Sequence, residues 1–278
     1  MKTWMMTGCS SGLGKQLMLE ALKRGDRVAA CVRRIETLEP FVRDYPEQLL
    51  LVALDVTSPQ MIEAAVQRIG THFNTIDGLI NNAGYGYRAA IEEGEDAAID
   101  TLFQTNFFGP MRLIRQVLPI IRKQKSGVII NISSAAAVNT FPGFGYYGAS
   151  NCALEGASSA LAKECAPLGI RVMVVEPGAF RTDFSGRSLT QSACVIEDYA
   201  ATAGLRRIEH DHTHGTQMGD PQKGAALILE AALSADAPHT LVLGADAWEV
   251  VEQSEAQLHE EMARWLKKSR ATAFSSEE

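Results

Sequence analysis

The sequence contains few cysteines, and they follow no pairing pattern. The five cysteines are scattered and odd in number, and none belongs to a Cys-x-x-Cys motif. This distribution argues against a disulfide framework and against a thiolate metal site, and it is typical of a reducing compartment. We therefore expect no bound metal ion and a cytoplasmic location.

Basic residues are not in excess, and long apolar runs are missing. The 278 residues include 26 Lys and Arg against 33 Asp and Glu, for a formal net charge of -7. This balance argues against a nucleic-acid groove or an anionic membrane surface as the partner. No stretch of about 18 apolar residues suggests a membrane span, and no apolar signal segment precedes the first motif. We expect neither nucleic acid nor membrane as a partner.

Short apolar runs alternate with longer helical patterns along the chain. The runs are rich in Val, Ile and Leu without polar alternation, which is typical of strands buried on both faces. They lie at 3–6, 27–32, 49–54, 78–80, 127–132, 171–176 and 240–244. Helices are predicted at 12–24, 59–72, 95–124 with a break near Gly109 and Pro110, 148–167, 222–234 and 246–268. This rhythm predicts an α/β fold with a doubly wound parallel sheet.

One domain is predicted over residues 1–270, because no linker rich in Pro, Gly or Ser divides the chain. A long polar stretch at 183–220 interrupts the alternation. Loops of this length inside a domain are usually functional and are often lids, so we expect it to shape the substrate pocket. Residues 271–278 are predicted to form a polar tail that frays.

The motif TGCSSGLG at 7–14 lies between the first predicted strand and the first predicted helix. Glycines there allow a tight turn and a close approach of the backbone to a phosphate, and the helix N-terminus offers free N–H groups. An ordinary turn with chance glycines is the alternative, but the context favours dinucleotide binding. The predicted cofactor residues of this motif are Thr7, Gly8, Ser10, Ser11, Gly12, Leu13 and Gly14.

Two arginines follow the second predicted strand. NAD-binding proteins place an acidic residue at this position to hold the ribose 2′-hydroxyl. Arg33 and Arg34 stand there instead, and a guanidinium pairs well with a phosphate. The sequence therefore favours NADP(H), with Arg33 as the main partner of the 2′-phosphate and Arg34 in support. NAD(H) stays possible, and a solvated basic loop is the alternative.

The spacing T-G-x-x-x-G-x-G resembles that of the short-chain dehydrogenase/reductase family. Further motifs follow in the family's order: Asp55 in LDVT, NNAG at 81–84, Asn106 in TNFFG, Ser134 in NISS, Tyr147, and EPGAFRT at 176–182. The resemblance implies a Rossmann-type fold and hydride transfer between a nicotinamide cofactor and a small carbonyl or alcohol substrate. A non-catalytic nucleotide-binding or interaction protein on the same scaffold is the competing hypothesis.

The resemblance also assigns cofactor contacts. It places Asp55 and Val56 at the adenine edge. It places Asn81, Asn82, Ala83 and Gly84 along the cofactor, and Pro177, Gly178 and Thr182 near the nicotinamide. Judged locally, Asp55 could also be a helix cap before Ser58, and NNAG could be merely a turn.

Reducing a carbonyl requires a proton for the oxygen, which a tyrosine hydroxyl can give while a serine hydroxyl holds that oxygen. By resemblance these residues are Tyr147 and Ser134. Ser133 is the neighbouring candidate, but its separation from Tyr147 is one residue too many. Tyr146 is the rival tyrosine, and it does no better because Ser150 stands four residues after it. A buried core tyrosine and a serine that caps a turn are the alternatives.

The family's Tyr-x-x-x-Lys pattern is broken at its last position, where Asn151 stands. In the family the lysine lowers the tyrosine pKa and holds the ribose hydroxyls. Asn151 shares a helix face with Tyr147 and can keep part of the second role through its amide, but it carries no charge. Three explanations stay open: a reductase that is slow or has an altered proton path, a cofactor-binding protein without activity, and an introduced Lys-to-Asn substitution.

Asn106 matches a helix asparagine that helps hold a water in the family's proton path. With Ser134, Tyr147 and Asn151 it completes the predicted catalytic set. Its alternative role is that of a polar residue mending a kink before Gly109.

Other features are expected to be structural. The histidines of HDHTH, which are His210, His212 and His214, are predicted to be solvated loop residues rather than metal ligands. The run RRIEHD at 206–211 mixes charges and is predicted to be surface. Small residues crowd the helix at 148–167, and family members often pair this helix, so a homodimer or homotetramer is expected.

Overall fold

The computed structural model describes residues 1–186, 188–213 and 215–274. The strands are β1 (Thr3–Thr7), β2 (Arg27–Val32), β3 (Leu49–Ala53), β4 (Gly78–Asn81), β5 (Gly86–Arg88), β6 (Gly127–Ile132), β7 (Ile170–Pro177), β8 (Leu189–Gln191) and β9 (Thr240–Leu243). The main sheet has the order β3-β2-β1-β4-β6-β7-β9, and each adjacent pair is parallel. β5 and β8 form a separate two-stranded sheet.

Helices cover both faces of the main sheet. They are α1 (Gly12–Lys23), α2 (Glu39–Val42), α3 (Pro59–Phe73), α4 (Asp96–Phe103), α5 (Gly109–Gln124), α6 (Gly145–Cys165), α7 (Leu205–His212), α8 (Pro221–Leu233) and α9 (Ala245–Arg270). Apolar residues of α1 and α8 pack on one face, and those of α3 and α5 pack on the other. The predicted doubly wound Rossmann-type sheet is confirmed.

The two apolar layers explain why the strands lack polar alternation. In β1, Trp4 and Met6 belong to the core beneath α1 and α8, whereas Met5 belongs to the core beneath α3 and α5. All three side chains are at most 1% exposed. Because alternate residues of a strand point to opposite faces, both sets must be apolar when helices cover both faces.

The order of the strands also fixes the position of a crevice. β1 lies between β2 and β4, so the chain winds outward from β1 in both directions. In sheets of this kind ligands bind at such a switch point, outside the carboxyl ends of the strands. The glycine-rich segment after β1 and the NNAG segment after β4 meet at this point.

The predicted helix break near Gly109 and Pro110 is misplaced. α4 continues through a π-helical turn at Gln104–Phe108 directly into α5. Pro110 follows this turn at the start of α5 and has no N–H to donate to the preceding turn. The irregularity therefore precedes the proline and falls on the segment that carries Asn106. π-Helical turns within α-helices are frequent at functional sites.

The polar stretch at 183–220 contains regular structure that its sequence pattern did not indicate. It includes β8, a π-helical turn at Ala200–Gly204 and α7. His210 and His212 lie in α7, so their prediction as loop residues is wrong, while His214 lies outside the described residues. In the described ranges no group of three or more His, Cys, Asp or Glu side chains is placed to hold a metal ion.

Within the described ranges no helix is both long and apolar enough to cross a membrane. α9 extends to Arg270, and residues 275–278 of the predicted tail lie outside the described residues. Short helical segments at Ile35–Thr37 and in α2, together with β5, were not predicted because each has only three or four residues.

Candidate active site

A large cleft of about 1610 Å³ opens at the carboxyl ends of the strands. It brings together the predicted catalytic residues and the predicted cofactor residues other than Thr7. The former are Asn106, Ser134, Tyr147 and Asn151. The latter are Gly8, Ser10, Ser11, Gly12, Leu13, Gly14, Arg33, Arg34, Asp55, Val56, Asn82, Ala83, Gly84, Pro177, Gly178 and Thr182, and Asn81 also lines the cleft.

Thr7 supports the cleft from behind. Its side chain is buried, and its Oγ1 accepts hydrogen bonds from the backbone N–H groups of Asn82 and Ala83, both at 3.0 Å. Asn82 returns the contact, because its Nδ2 donates to the carbonyl oxygens of Thr7 at 3.0 Å and Gly8 at 3.2 Å. The loop after β1 is thereby joined to the NNAG segment. That segment is more than a turn, because its hydrogen bonds hold this loop in place.

Two glycines are required where these loops touch. A Cβ at Gly8 would lie 2.8 Å from Nδ2 of Asn82, and one at Gly14 would lie 2.4 Å from the carbonyl oxygen of Gly8. Both distances are shorter than a Cβ can tolerate. α1 then begins at Gly12, and the side chain of Ser11 at its N-cap makes no capping hydrogen bond. The first N–H groups of α1 therefore have no side-chain acceptor there and suit an anionic group such as a diphosphate.

The arginines after β2 lie at the edge of the cleft with exposed side chains. Asp55 stands nearby, and its Oδ1 accepts hydrogen bonds from Thr57 N and Thr57 Oγ1, at 2.9 and 2.7 Å. Burial raises the pKa of Asp55, but the Thr57 hydrogen bonds and the charge of Arg33 outweigh it and lower that pKa overall. Asp55 does not cap α3, since the side chain of Ser58 does so.

Tyr147 lies in the first turns of α6, which begins three residues before its predicted start. Its hydroxyl lies beside the side chains of Ser134 and Asn151. Burial raises the pKa of Tyr147, and these two polar neighbours lower it only partly, so that the net pKa lies above its usual value. Asn151 is 4% exposed, and its Nδ2 also donates to the Tyr147 carbonyl oxygen at 2.9 Å. The phenol is therefore protonated at neutral pH.

The rival residues have other partners. The hydroxyl of Tyr146 donates to the carbonyl oxygen of Ile91 at 2.7 Å. The hydroxyl of Ser133 donates to Oε1 of Glu155 at 2.5 Å. Neither hydroxyl belongs to the group formed by Tyr147, Ser134 and Asn151. The geometry therefore favours Ser134 and Tyr147 as the catalytic pair.

Asn106 is held by groups outside its own helix. Its Oδ1 accepts from Tyr85 N at 3.2 Å, and its Nδ2 donates to the Tyr85 carbonyl oxygen at 2.9 Å and to Ser150 Oγ at 3.2 Å. Ser150 Oγ donates in turn to the carbonyl oxygen of Tyr147 at 2.8 Å. The side chain therefore joins the π-helical turn to the start of α6, rather than mending a kink. Ser150 was not singled out in the sequence, because a lone serine in a helix gives no such signal.

Three lysines could in principle supply the ammonium group that Asn151 lacks. Lys15 lies over the ring of Phe41, with Nζ 5.1 Å from the ring centroid. Lys163 is exposed on α6. Lys223 lines the cleft from the first turn of α8, and the sequence analysis did not single it out. Neither Lys15 nor Lys163 lines the cleft, so neither replaces the lysine that the family places at position 151.

Aromatic rings surround the Tyr147 side chain. The centroid of its ring lies 5.7 Å from that of Phe184 and 6.2 Å from that of Phe144. The ring of His210, from α7, lies 5.5 Å from that of Phe144. This part of the cleft is therefore suited to the apolar part of a substrate, with the hydroxyls of Tyr147 and Ser134 as its polar centre.

Two ion pairs join the 183–220 stretch to β5 and to the segment after it, and one of them is buried. Arg207 of α7 is 8% exposed and pairs with Glu93, which is 2% exposed. Nη1 of Arg88 donates to Oδ1 of Asp211 at 2.6 Å and to the Arg207 carbonyl oxygen at 3.2 Å. The prediction that 206–211 is surface is therefore wrong for Arg207, because partners distant in the sequence bury its charge.

Glu93 receives several donors besides Arg207. Its Oε1 accepts from Ile196 N at 3.0 Å, and its Oε2 accepts from Ala90 N at 2.8 Å. Burial raises the pKa of Glu93, but these N–H groups and the Arg207 charge lower it overall. A lowered pKa means that the pairing stabilises the fold above the unfolded pKa of about 4.5 and is lost as the pH falls through the folded value.

Replacing Glu93 with glutamine is expected to destabilise the protein by about 3 kcal/mol, because Arg207 keeps a buried charge without its counter-ion. Thermal unfolding measures the effect, with Glu63→Gln on the exposed side of α3 as the control. Equal melting temperatures for the two variants would contradict the anchoring role of Glu93.

The start of α9 closes the far side of the cleft. Oδ2 of Asp246 accepts from Ala179 N at 2.6 Å, and the backbone at Gly178 passes so close that a Cβ there would lie 2.3 Å from Oδ1 of Asp246. This contact fixes the loop after β7, which carries the predicted nicotinamide residues. The sequence gives no sign of it, because 67 residues separate the two partners.

Residues 2–193 match the family model described as short chain dehydrogenase. A protein named Oxidoreductase BOA17, from Botryotinia fuckeliana, is 36% identical over 273 residues, which cover 98% of this chain and 99% of the relative.

Solved structures agree with this assignment. A short-chain dehydrogenase from Streptomyces avermitilis is 37% identical and superposes with a TM-score of 0.92, covering 98% of this chain and all of the other. A short chain dehydrogenase from Burkholderia cenocepacia, solved in complex with NADP, is 25% identical with a TM-score of 0.72, covering 95% of this chain and 97% of the other. The chain belongs to the short-chain dehydrogenase family and is an oxidoreductase.

Proposed function

We propose that the protein interconverts a carbonyl and an alcohol by hydride transfer with NADP(H), and that it works best as a reductase. The observation that carries the proposal is the hydroxyl of Tyr147, which lies beside Ser134 in the cleft of about 1610 Å³ and is protonated at neutral pH. A protonated phenol suits reduction, which consumes a proton, whereas alcohol oxidation requires the tyrosinate.

The residues of the cleft fit a dinucleotide. Gly8 and Gly14 have no side chains, so the backbone can come close to a diphosphate. The N-terminus of α1 lacks a side-chain cap, so its N–H groups can bind that diphosphate. The relative from Burkholderia cenocepacia was solved with NADP. Arg33 and Arg34 directly follow β2, where a 2′-phosphate would need positive charge.

Each side chain has one role in this mechanism. The nicotinamide cofactor supplies the hydride when it is bound. Ser134 Oγ holds the substrate oxygen, and Tyr147 Oη delivers the proton to it as the carbonyl carbon is reduced. Asn151 lies beside the phenol and holds the Tyr147 backbone carbonyl, but it adds no charge. Asn106 fixes the neighbouring backbone at Tyr85 and the side chain of Ser150.

The proposal is tested by NADPH oxidation over a panel of aldehydes and ketones, compared with NADH and with the reverse reaction on the alcohols. We expect slow turnover, faster with NADPH than with NADH, and faster in reduction than in oxidation. The second candidate is a nucleotide-binding protein without turnover, which the neutral Asn151 favours. It predicts NADPH binding without oxidation of NADPH by any compound, even when a lysine is introduced at position 151.

Replacing Arg33 with alanine is expected to weaken NADPH binding by about ten- to a hundredfold, because hydrogen bonds to a charged group contribute about 1.5–3 kcal/mol. NADH, which lacks the 2′-phosphate, should bind with nearly unchanged affinity. Fluorescence titration of both nucleotides measures the difference. Arg43→Ala is the control, since the Arg43 side chain is 91% exposed and does not line the cleft. An equal loss for the two nucleotides would contradict the role of Arg33.

Two further expectations accompany this function. The exposed small residues of α6, such as Ala149, Gly156 and Ala160, suit close packing of two copies as a homodimer or homotetramer. Free thiols and acidic composition suit the cytoplasm. The oligomer is checked by light scattering and the location by fractionation of cells.

A further inference from the structure

The first turns of α9 pack against the rest of the subunit, which is called the body below, and its later turns do not. Ala247 and Val251 are buried in its first two turns. From residue 255 to residue 270 every residue is exposed. At 1.5 Å per residue this free part is about 24 Å long. Only the first turns are held by tertiary contacts, so the free part is open to a partner.

The free part carries an apolar stripe. Leu258, Met262 and Trp265 are 57%, 60% and 62% exposed. The spacing of four and then three residues repeats that of a coiled-coil seam, and it continues the face on which Val251 packs against the body. The stripe is therefore a helix-packing surface that extends beyond the edge of its own subunit.

The charges of α9 are separated along its axis. Within the free part the acidic residues come first, at Glu255, Glu260 and Glu261, and the basic residues come last, at Arg264, Lys267, Lys268 and Arg270. Two parallel copies would place like charges side by side. Two antiparallel copies would place the acidic part of each against the basic part of the other, which identifies a second copy of this chain as the complementary partner.

We propose that the free part of α9 pairs with the same segment of a second copy, antiparallel about a twofold axis near Ala263. In this register Met262 of each copy packs against Trp265 of the other, and Glu261 of each faces Lys268 of the other. The contact is self-complementary, as a twofold interface requires. It uses a different surface from the small residues of α6.

The size of the overlap limits the strength of this contact. About fourteen residues of each helix overlap at 1.5 Å per residue, and the axis lies about 14 Å beyond Ser254, so the two bodies stay apart. Such a pair buries on the order of 1,000 Å² in total, at the low end for a specific interface. The association is therefore expected to be reversible in the micromolar range, and to be screened by salt.

Charge reversal tests the pairing. Glu261 and Lys268 are seven residues apart, about 10 Å along one helix, so they do not pair within a copy. Glu261→Lys and Lys268→Glu are each expected to weaken association at least fivefold in sedimentation velocity, because each reversal creates two like-charged contacts. The variant that carries both reversals should recover the association of the unchanged protein.

Cross-linking gives a second readout that does not depend on folding stability. A variant with Glu261→Cys and Lys268→Cys should form disulfide-linked pairs of chains under mild oxidation, whereas Glu260→Cys with Lys267→Cys should not, because these residues point away from the seam. Association that survives both single reversals, or that the double reversal does not restore, overturns the proposal. So does a monomer whose α9 binds vesicles of anionic phospholipid instead.

Discussion

Replacing Asn151 with lysine is expected to raise kcat for carbonyl reduction by about tenfold to a thousandfold. A unit charge about 4 Å from the phenol contributes roughly 1 kcal/mol in water and about 4 kcal/mol at an effective dielectric constant near 20. At about 1.4 kcal/mol per pKa unit, this lowers the pKa of Tyr147 by one to three units. The pKa of Tyr147 is raised beside the neutral amide of Asn151, so an added positive charge can lower it. Stopped-flow and steady-state NADPH oxidation measure it.

The same substitution makes a prediction about direction and pH. Oxidation of an alcohol needs the tyrosinate, so the gain should be larger for oxidation than for reduction. For oxidation, the ascending limb of the pH profile, which follows ionisation of Tyr147, should move to lower pH in the lysine variant because the ammonium stabilises the phenolate. An unchanged pH profile together with a higher kcat would mean that lysine acts by holding the cofactor and not through its charge.

A matched neutral variant separates charge from length. Asn151→Met has an unbranched side chain of similar reach to lysine but no charge, and it should give no gain in kcat. Asn151 is 4% exposed, so thermal unfolding and NADPH titration must show that both variants fold and bind the nucleotide. If the lysine variant folds, binds NADPH and reduces no carbonyl, the chain is the nucleotide-binding protein of the second candidate function.

Replacing Tyr147 with phenylalanine is expected to lower kcat by about a hundredfold to ten-thousandfold, the usual contribution of a positioned general acid. The change removes one hydroxyl and leaves the ring packed between Phe144 and Phe184. The affinity for NADPH should therefore change little. Turnover and fluorescence titration of the same preparation measure both quantities.

Tyr146→Phe is the matched control for this variant. The Tyr146 hydroxyl donates to the Ile91 carbonyl oxygen, so its loss should cost about 1 kcal/mol of stability and leave kcat nearly unchanged. Equal kcat values for Tyr147→Phe and the unchanged protein would show that the proton reaches the substrate by another route. The proposed role of Tyr147 would then have to be abandoned.

The sequence determined the parts of this protein whose signals are local. Unbroken apolar runs predicted strands buried on both faces, and the helices between them predicted a parallel sheet. The glycines at 8, 12 and 14 predicted the nucleotide cradle, and the ordered motifs predicted the side chains that line the cleft. These signals can be recognised in the sequence because backbone geometry and burial restrict the residue type at each of these positions.

Tertiary structure decided what depends on partners distant in the chain. Arg207 has the sequence neighbourhood of a surface residue, and only Glu93, 114 positions away, makes it a buried ion-pair partner. Asp246 fixes the loop after β7, and Ser150 receives Asn106, through contacts that no local pattern encodes. The fold also decided which turns of α9 pack against the rest of the subunit. The later turns remain exposed, and they carry the part of the apolar stripe that we propose pairs with a second copy. Periodicity gives the face of a helix, but only the folded chain shows what covers it.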